Sequence, residues 1–223
     1  MRIRHKPWAK PELEACEFCI KTPDGMKGKW QEAFPKKQEI HLELGCGKGG
    51  FISQLAPENP NINFIAADIK NEMLGLAKRK LEKAYEEKGL EPDNIRIFTK
   101  NIEYISQVFA PEDNIKRIYI NFCNPWPRGK HKKRRLTHPR QLVQYKSFLA
   151  DDGEIRFKTD DDELFEESLE YFEECGFEVV YKTFDLHNSD FAENIMTEHE
   201  KMFSDEGKPI KFLIAVPKKS EQA

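Results

Sequence analysis

The stretch 39–52, Glu-Ile-His-Leu-Glu-Leu-Gly-Cys-Gly-Lys-Gly-Gly-Phe-Ile, narrows the possible folds more than any other part of the chain. Ile40, Leu42 and Leu44 alternate as in a short buried strand, four glycines follow between Gly45 and Gly50, and an apolar segment with helical spacing comes next. Strand, tight turn and helix in that order make a unit whose bend exposes bare backbone. Glycine tolerates the positive φ such a bend needs, and the helix start beyond it offers free N–H groups. The spacing predicts that a small polar ligand sits here.

Gly45, Gly47 and Gly50 satisfy the dinucleotide pattern G-x-G-x-x-G, which many unrelated chains also satisfy. Glu43, two residues before the first glycine, argues against a pyrophosphate, which its carboxylate would repel, and for a cationic ligand. Glu-Leu-Gly-Cys-Gly-Lys-Gly resembles the first motif of class I S-adenosylmethionine-dependent methyltransferases, in which an acid shortly before the glycines faces the amino-acid end of the sulfonium cofactor. Further along, 63–68 reads as a second strand ending in Asp68, 25 positions after Glu43, and 71–88 as a helix. An acid at that strand end accepts hydrogen bonds from ribose hydroxyls, a role shared by dinucleotide and S-adenosylmethionine folds.

Strands are expected at 95–100, 117–122, 153–158, 177–182 and 209–216, with helices at 141–150 and 162–175. Strands alternating with helices predict an α/β fold, a doubly wound, mostly parallel sheet of seven strands whose ligands bind beyond the carboxyl ends of the strands. Asn101, just past the third strand, is placed to meet an adenine through its amide. The organisation expected is a basic, irregular N-terminal arm over 1–35, a catalytic domain over 36–217 and a polar tail over 218–223.

Composition bounds the setting. No apolar run approaches the roughly 20 residues that span a bilayer, and no basic-then-apolar leader opens the chain, so a soluble cytoplasmic protein with no membrane partner is expected, as a monomer or homodimer. Five cysteines are an odd number, and Cys16-x-x-Cys19 lacks the second ligand pair of a zinc site, so neither disulfides nor a metal are expected.

Charge is distributed unevenly. Between Arg128 and Arg140 stand seven Lys or Arg residues and no acid, in a chain of net charge −3, which leaves about −10 on the remainder. One loop therefore carries the positive charge needed to neutralise phosphates, and Lys130, His131, Lys132, Lys133, Arg134 and Arg135 are its candidate RNA contacts, with Trp126 offering a stacking face.

Pro-Trp-Pro followed by a basic run ending Lys-Arg-Arg-Leu, after a strand Ile-Tyr-Ile-Asn-Phe, resembles the bacterial tRNA (guanine-N7-)-methyltransferase family. The first motif, Asp68, Lys158-Thr-Asp160 and Thr197-Glu-His-Glu200 match it too, in the same order. The resemblance implies methyl transfer from S-adenosyl-L-methionine to N7 of guanine 46 in the variable loop of tRNA. It implies cofactor contacts at Glu43, Gly45, Gly47, Asp68, Asn101 and Asn124, and guanosine contacts at Arg128, Asp160, Thr197, Glu198, His199 and Glu200. Glu200 would accept from N1–H and the exocyclic amine of guanine. This sequence departs from the family at Asn124, where Asp is usual, and at His199, where Tyr is commoner. Guanine N7 has an in-plane lone pair and no proton, so its attack needs positioning rather than a base, and Asn124 is expected to orient, as the catalytic residue of the site.

Other readings stay open on sequence. Asn124-Pro-Trp is similar to the Asn-Pro-Pro-aromatic motif of amino-group methyltransferases. A nicotinamide oxidoreductase would use the G-x-G-x-x-G match, and a non-catalytic RNA-binding protein could keep the fold. Asp160 to Asp162 and Thr197-x-x-Glu200 fit helix caps as well as ligand contacts, and His187 and His199 read as polar loop residues.

Overall fold

A computed structural model describes residues 4–219. Seven strands, β1 (Glu39–Leu44), β2 (Ile62–Asp68), β3 (Ile95–Thr99), β4 (Ile115–Asn121), β5 (Leu149–Thr159), β6 (Phe177–Thr183) and β7 (Lys211–Pro217), form one sheet in the order β3-β2-β1-β4-β5-β7-β6. All neighbours from β3 to β5 pair in parallel, while β7 runs antiparallel to both β5 and β6. The doubly wound, mostly parallel sheet expected from the alternation of elements is thus present. Its order reverses between β1 and β4, the place where such sheets open a crevice for ligands.

Alternation within β1 sets up both faces. Ile40, Leu42 and Leu44 join Ile118, Ile120, Ile155 and Phe157 in the larger core, which α4 (Pro139–Lys146) and α5 (Asp162–Glu174) help to cover. On the opposite face α2 (Ile52–Glu58) and α3 (Asn71–Glu87) close a second cluster around Phe64, Ala66, Leu74 and Leu81. Over β1, β4 and β5 that second face is polar: His41, Glu43, Tyr119, Asn121, Arg156 and Lys158 line it, and a cavity of about 230 Å³ borders it.

The N-terminal segment is not the irregular arm expected. Helix α1 (Ala9–Ala15) packs on α3, with the Arg79 guanidinium 3.6 Å from the centre of the Trp8 ring and Ala9 seated against Gly75. Trp30 is wholly buried between Phe98 and Phe109, and its Nε1 donates to the Val108 carbonyl at 2.9 Å. The backbone around Cys19 even extends the sheet, since Ile97 donates to the Phe18 carbonyl and Ile20 to that of Ile97. That pairing covers the β3 edge, which would otherwise offer unpaired donors and acceptors. The segment escapes a periodicity reading because a seven-residue helix and one isolated tryptophan give no repeat to count. Residues 1–3, and 220–223 of the expected polar tail, lie outside the described residues.

The bounds of one helix and of the strand after it also differ from those expected. The helix expected over 141–150 begins at Pro139, where His138 caps it, and stops at Lys146. Leu149 and Ala150 instead enter β5, with Leu149 in register with Ile115.

The glycine bend is fitted closely to α3. Gly49 has φ +73°, and a Cβ built on it would lie 2.8 Å from that of Ala77. Gly49→Ala should therefore combine backbone strain with overpacking and cost about 2–4 kcal/mol, read as a lowered denaturation midpoint with unchanged m-value.

Candidate active site

The bend between β1 and α2 is held open by hydrogen bonds to the second strand. Gly45 and Cys46 both donate to the Ala67 carbonyl, at 2.9 and 3.0 Å, while Gly45 and Gly47 adopt φ of +75° and +55°. Asp68 completes the frame, taking the Gly47 N–H on one oxygen and the Lys70 N–H on the other, each at 2.9 Å. Burial pushes its carboxyl up against these backbone donors. Each oxygen keeps a lone pair for a further donor such as a ribose hydroxyl.

Glu43 is the most telling side chain of the site. It is fully enclosed; Oε1 accepts a long 3.4 Å bond from Asn121 Nδ2, and Oε2 has no partner among the described residues. Desolvation, together with repulsion from Asp68, pushes its carboxyl up to about 8. A buried acceptor left unpaired is costly, and a cation brought to it would relieve both the missing bond and the raised pKa. S-adenosylmethionine fits these residues: its ammonium suits Glu43, its ribose Asp68, and the bare glycine bend admits its carbon chain. Pyrophosphate does not.

Asn101 caps the turn after β3, its Oδ1 accepting from Glu103 N at 3.1 Å, which leaves its amide NH₂ group for a ligand. After β4 the chain makes an unusual bend: Phe122 and Trp126 both hold φ near +50°, at 50° and 44°. Between them Asn124, exposed at the rim, accepts from Trp126 N at 3.0 Å. Its carbonyl thus shapes the loop. Backbone strain of this kind is kept where surrounding structure enforces it, commonly at functional sites.

From here the basic flap leaves and returns to the same rim. Leu136, at its far end, rests on Gly45, where an added Cβ would lie 3.2 Å from Leu136 Cδ1. Within the flap, a 3₁₀ turn spans Gly129–Arg134. Arg128, Lys130, Lys133 and Arg134 are exposed, and His131 is half-buried. The Arg134 guanidinium lies 5.3 Å from the Trp126 ring centre and His131 lies 5.8 Å from it, so the ring expected to stack on a base carries flap side chains of its own.

Two expected RNA contacts have other duties. Arg135 is fully buried: Nε donates to the Pro125 carbonyl and Nη1 to Glu167, both at 2.6 Å, and Nη2 reaches Glu163 at 3.4 Å. Lys132 pairs with the same Glu163 and Glu167. Arg135 pins the flap to α5 from inside, and the partly exposed Lys132 pairs with the same two acids at the surface. Arg135 is therefore corrected from RNA contact to internal strut, with Lys132 assisting it.

The last motif is divided in a similar way. Thr197 caps α6 (Glu198–Asp205), taking the Glu200 N–H at 3.1 Å, and Glu200 reaches back to the Thr197 N–H: the capping box read from sequence forms. His199 is exposed, its ring 6.3 Å from that of Phe122, and Glu198 pairs with Lys80 of α3 at 2.7 Å. Glu200 is wholly buried. Its Oε2 takes Lys158 Nζ at 2.5 Å, and its Oε1 takes Asn194 Nδ2 at 2.6 Å and His187 Nε2 at 2.8 Å. Both oxygens are engaged, so Glu200 does not present a carboxylate to a guanine edge here, and the expected direct readout is corrected. Asp160 differs again. Asp161, not Asp160, caps α5 through Leu164 N at 2.7 Å, leaving the half-buried Asp160 carboxyl at the strand end, pushed up by burial.

Lys158 and Asn121 belong to this edge although the motifs that contain them gave neither a role. Their signal was the second face of β4 and β5. A central parallel strand buried on both sides reads as continuous apolar residues, and polar side chains at alternate positions break that rule. The Cys16 and Cys19 thiols are buried and raised by desolvation, Cys19 to about 11, as befits packed side chains. Among the described residues no cluster of three or more His, Cys, Asp or Glu could hold a metal, and no helix is long and apolar enough to cross a membrane.

Comparison with known proteins follows the same lines. A family model described as "Putative methyltransferase" matches residues 37–213. The tRNA (guanine-N(7)-)-methyltransferase of Clostridium beijerinckii is 63% identical over 216 residues, 97% of this chain and 99% of that protein. The enzyme of the same name from Clostridium tetani is 54% identical over 215 residues, 96% and 99% of the two chains. Among solved structures, the 16S rRNA methyltransferase KamB superposes with a TM-score of 0.58 at 14% identity, covering 82% of this chain and 89% of that one, a likeness that bears on the fold alone. A rim that suits a sulfonium cofactor, a basic flap on that rim and this degree of likeness lead to one conclusion: the chain belongs to the tRNA (guanine-N(7)-)-methyltransferase family.

Proposed function

We propose that the protein transfers the methyl group of S-adenosyl-L-methionine to N7 of guanine 46 in the variable loop of tRNA, in the cytoplasm, as a monomer or homodimer. The observation that carries this reading is the meeting of Leu136 with Gly45, which brings the RNA-facing flap to the acid-guarded glycine bend. When bound, the cofactor supplies an electrophilic methyl on a sulfonium. Glu43 holds the ammonium, Gly45 and Gly47 admit the chain, Asp68 takes the ribose hydroxyls and Asn101 meets the adenine. Arg128, Asp160, Thr197, Glu198 and His199 surround the guanosine, while Lys130, Lys133 and Arg134 neutralise phosphates and His131 contacts the RNA beside them.

N7 offers a lone pair without a proton, so no side chain need act as a base, and the rate gain comes from holding two partners in line. Asn124, with its carbonyl spent on Trp126, keeps its amide NH₂ to orient the base through one of the base's acceptors. Incubation of unmodified tRNA with methyl-labelled cofactor, followed by nucleoside analysis, tests the reading: 7-methylguanosine is expected, whereas label in 1-methylguanosine or 6-methyladenosine would refute it.

A further inference from the structure

Lysine is an expensive residue to bury, and Lys158, on the polar face of β5, is 3% exposed. Its ammonium has three donors, and all three go to one short stretch: Glu200 Oε2 at 2.5 Å, Asn194 Oδ1 at 3.0 Å and the Ile195 carbonyl at 3.0 Å. The rings of Phe51 and Phe122 flank it, 6.0 and 5.7 Å from Nζ. Glu200, so held, fixes the capping box and with it the placement of Thr197, Glu198 and His199. Two outer ties, Lys80 to Glu198 and Gln54 to the Met196 carbonyl at 3.1 Å, draw the stretch across α2 and α3. These ties are exposed, and single exposed pairs contribute little. The buried lysine is the anchor.

We propose that Lys158 is the positioning residue of the guanosine side of the site: by gathering Asn194, Ile195 and Glu200 it sets Thr197 to His199 beside Phe122, and so governs capture of the RNA rather than of the cofactor. The inference rests on the reading of the site given above. It also assigns Glu200 a task, that of receiving the lysine, in place of contact with the base.

Lys158→Met tests this with three readouts. The KM for tRNA should rise about tenfold or more while kcat at saturating RNA stays within about threefold, the pattern of lost binding common to ground and transition states. S-adenosylhomocysteine affinity should change less than about threefold. The double variant K158M/E200L removes both charges together, which commonly restores stability, so its melting temperature should recover while its KM stays high. Recovery of KM along with melting temperature would reduce the lysine to a stabilising role and overturn the proposal. So would an equal loss of S-adenosylhomocysteine affinity, which would place its action at Glu43. If K158M does not fold, the double variant against wild type carries the same comparison. Filter binding of tRNA to these proteins gives that comparison independently of methylation, so a failure of the proposed reaction is seen separately.

Discussion

Glu43→Gln should weaken S-adenosylhomocysteine binding about 100-fold at pH 8 while leaving tRNA affinity within about threefold, because truncating the charge of a buried ionic contact costs several kcal/mol and the flap is untouched. The pH dependence is the sharper signature. The free carboxyl sits near 8, and an ammonium at its unpartnered oxygen favours the ionised form, so ligand binding releases a proton below that pH. Wild-type affinity should rise with pH towards about 8 and fall beyond it as the ligand's own α-amino group loses its proton. The glutamine variant should lose the rising limb. Stability of the free protein moves the other way. The folded pKa lies above the ordinary 4.5, so the stability linked to this group is complete below about 4.5 and is lost as pH rises through about 8. Glu43→Gln should therefore raise the melting temperature of the ligand-free protein at pH 8 and above, by an amount reflecting a few kcal/mol. Calorimetric titration across pH checks both limbs, and a pH-independent wild-type affinity would contradict the assignment.

The second large effect separates neighbours in the flap. Replacing Lys130, Lys133 and Arg134 together by Ala should lower tRNA affinity about 10- to 100-fold near physiological salt and flatten the slope of log K against log salt by about 2–3, with little change in stability. Arg135→Gln should do something else. It takes from Glu167, which burial would raise but which Lys132, Tyr171 and Arg135 together hold at about 2, one of its three partners, and it removes the tie to Pro125. With Glu163 and Glu167 partly in water, a loss of about 2–3 kcal/mol is expected, seen in chemical denaturation. A salt slope in the folded Arg135 variant as flat as that of the triple variant would return Arg135 to the RNA surface.

These neighbouring residues of the flap show where a sequence can be read and where it stops. The run of cations from Arg128 to Arg140 was legible as a polyanion surface because charge without counter-charge is visible locally. That Arg135 turns inward depends on Glu163 and Glu167, some thirty positions on and on another helix, so no local pattern could reveal it. The same separation hid the state of Glu200. Its capping box is a four-residue pattern and was legible, whereas its ion pair with Lys158 spans 42 positions. The glycine bend, Asp68 and the succession of strands along the chain were readable because each is set by period, by turn chemistry or by the end of an element. Trp30 and the short helix α1 were not, since they enter the fold only through tertiary packing.

Mapping the methylated position decides the central claim most directly: one rim delivers a single guanine N7 to the sulfonium. A tRNA transcript treated with enzyme and S-adenosylmethionine, then with a reduction and cleavage chemistry selective for 7-methylguanosine, should break at position 46 alone, and a transcript carrying adenosine there should stay whole. Label incorporated without such a break, or equal incorporation into the adenosine transcript, would contradict the account.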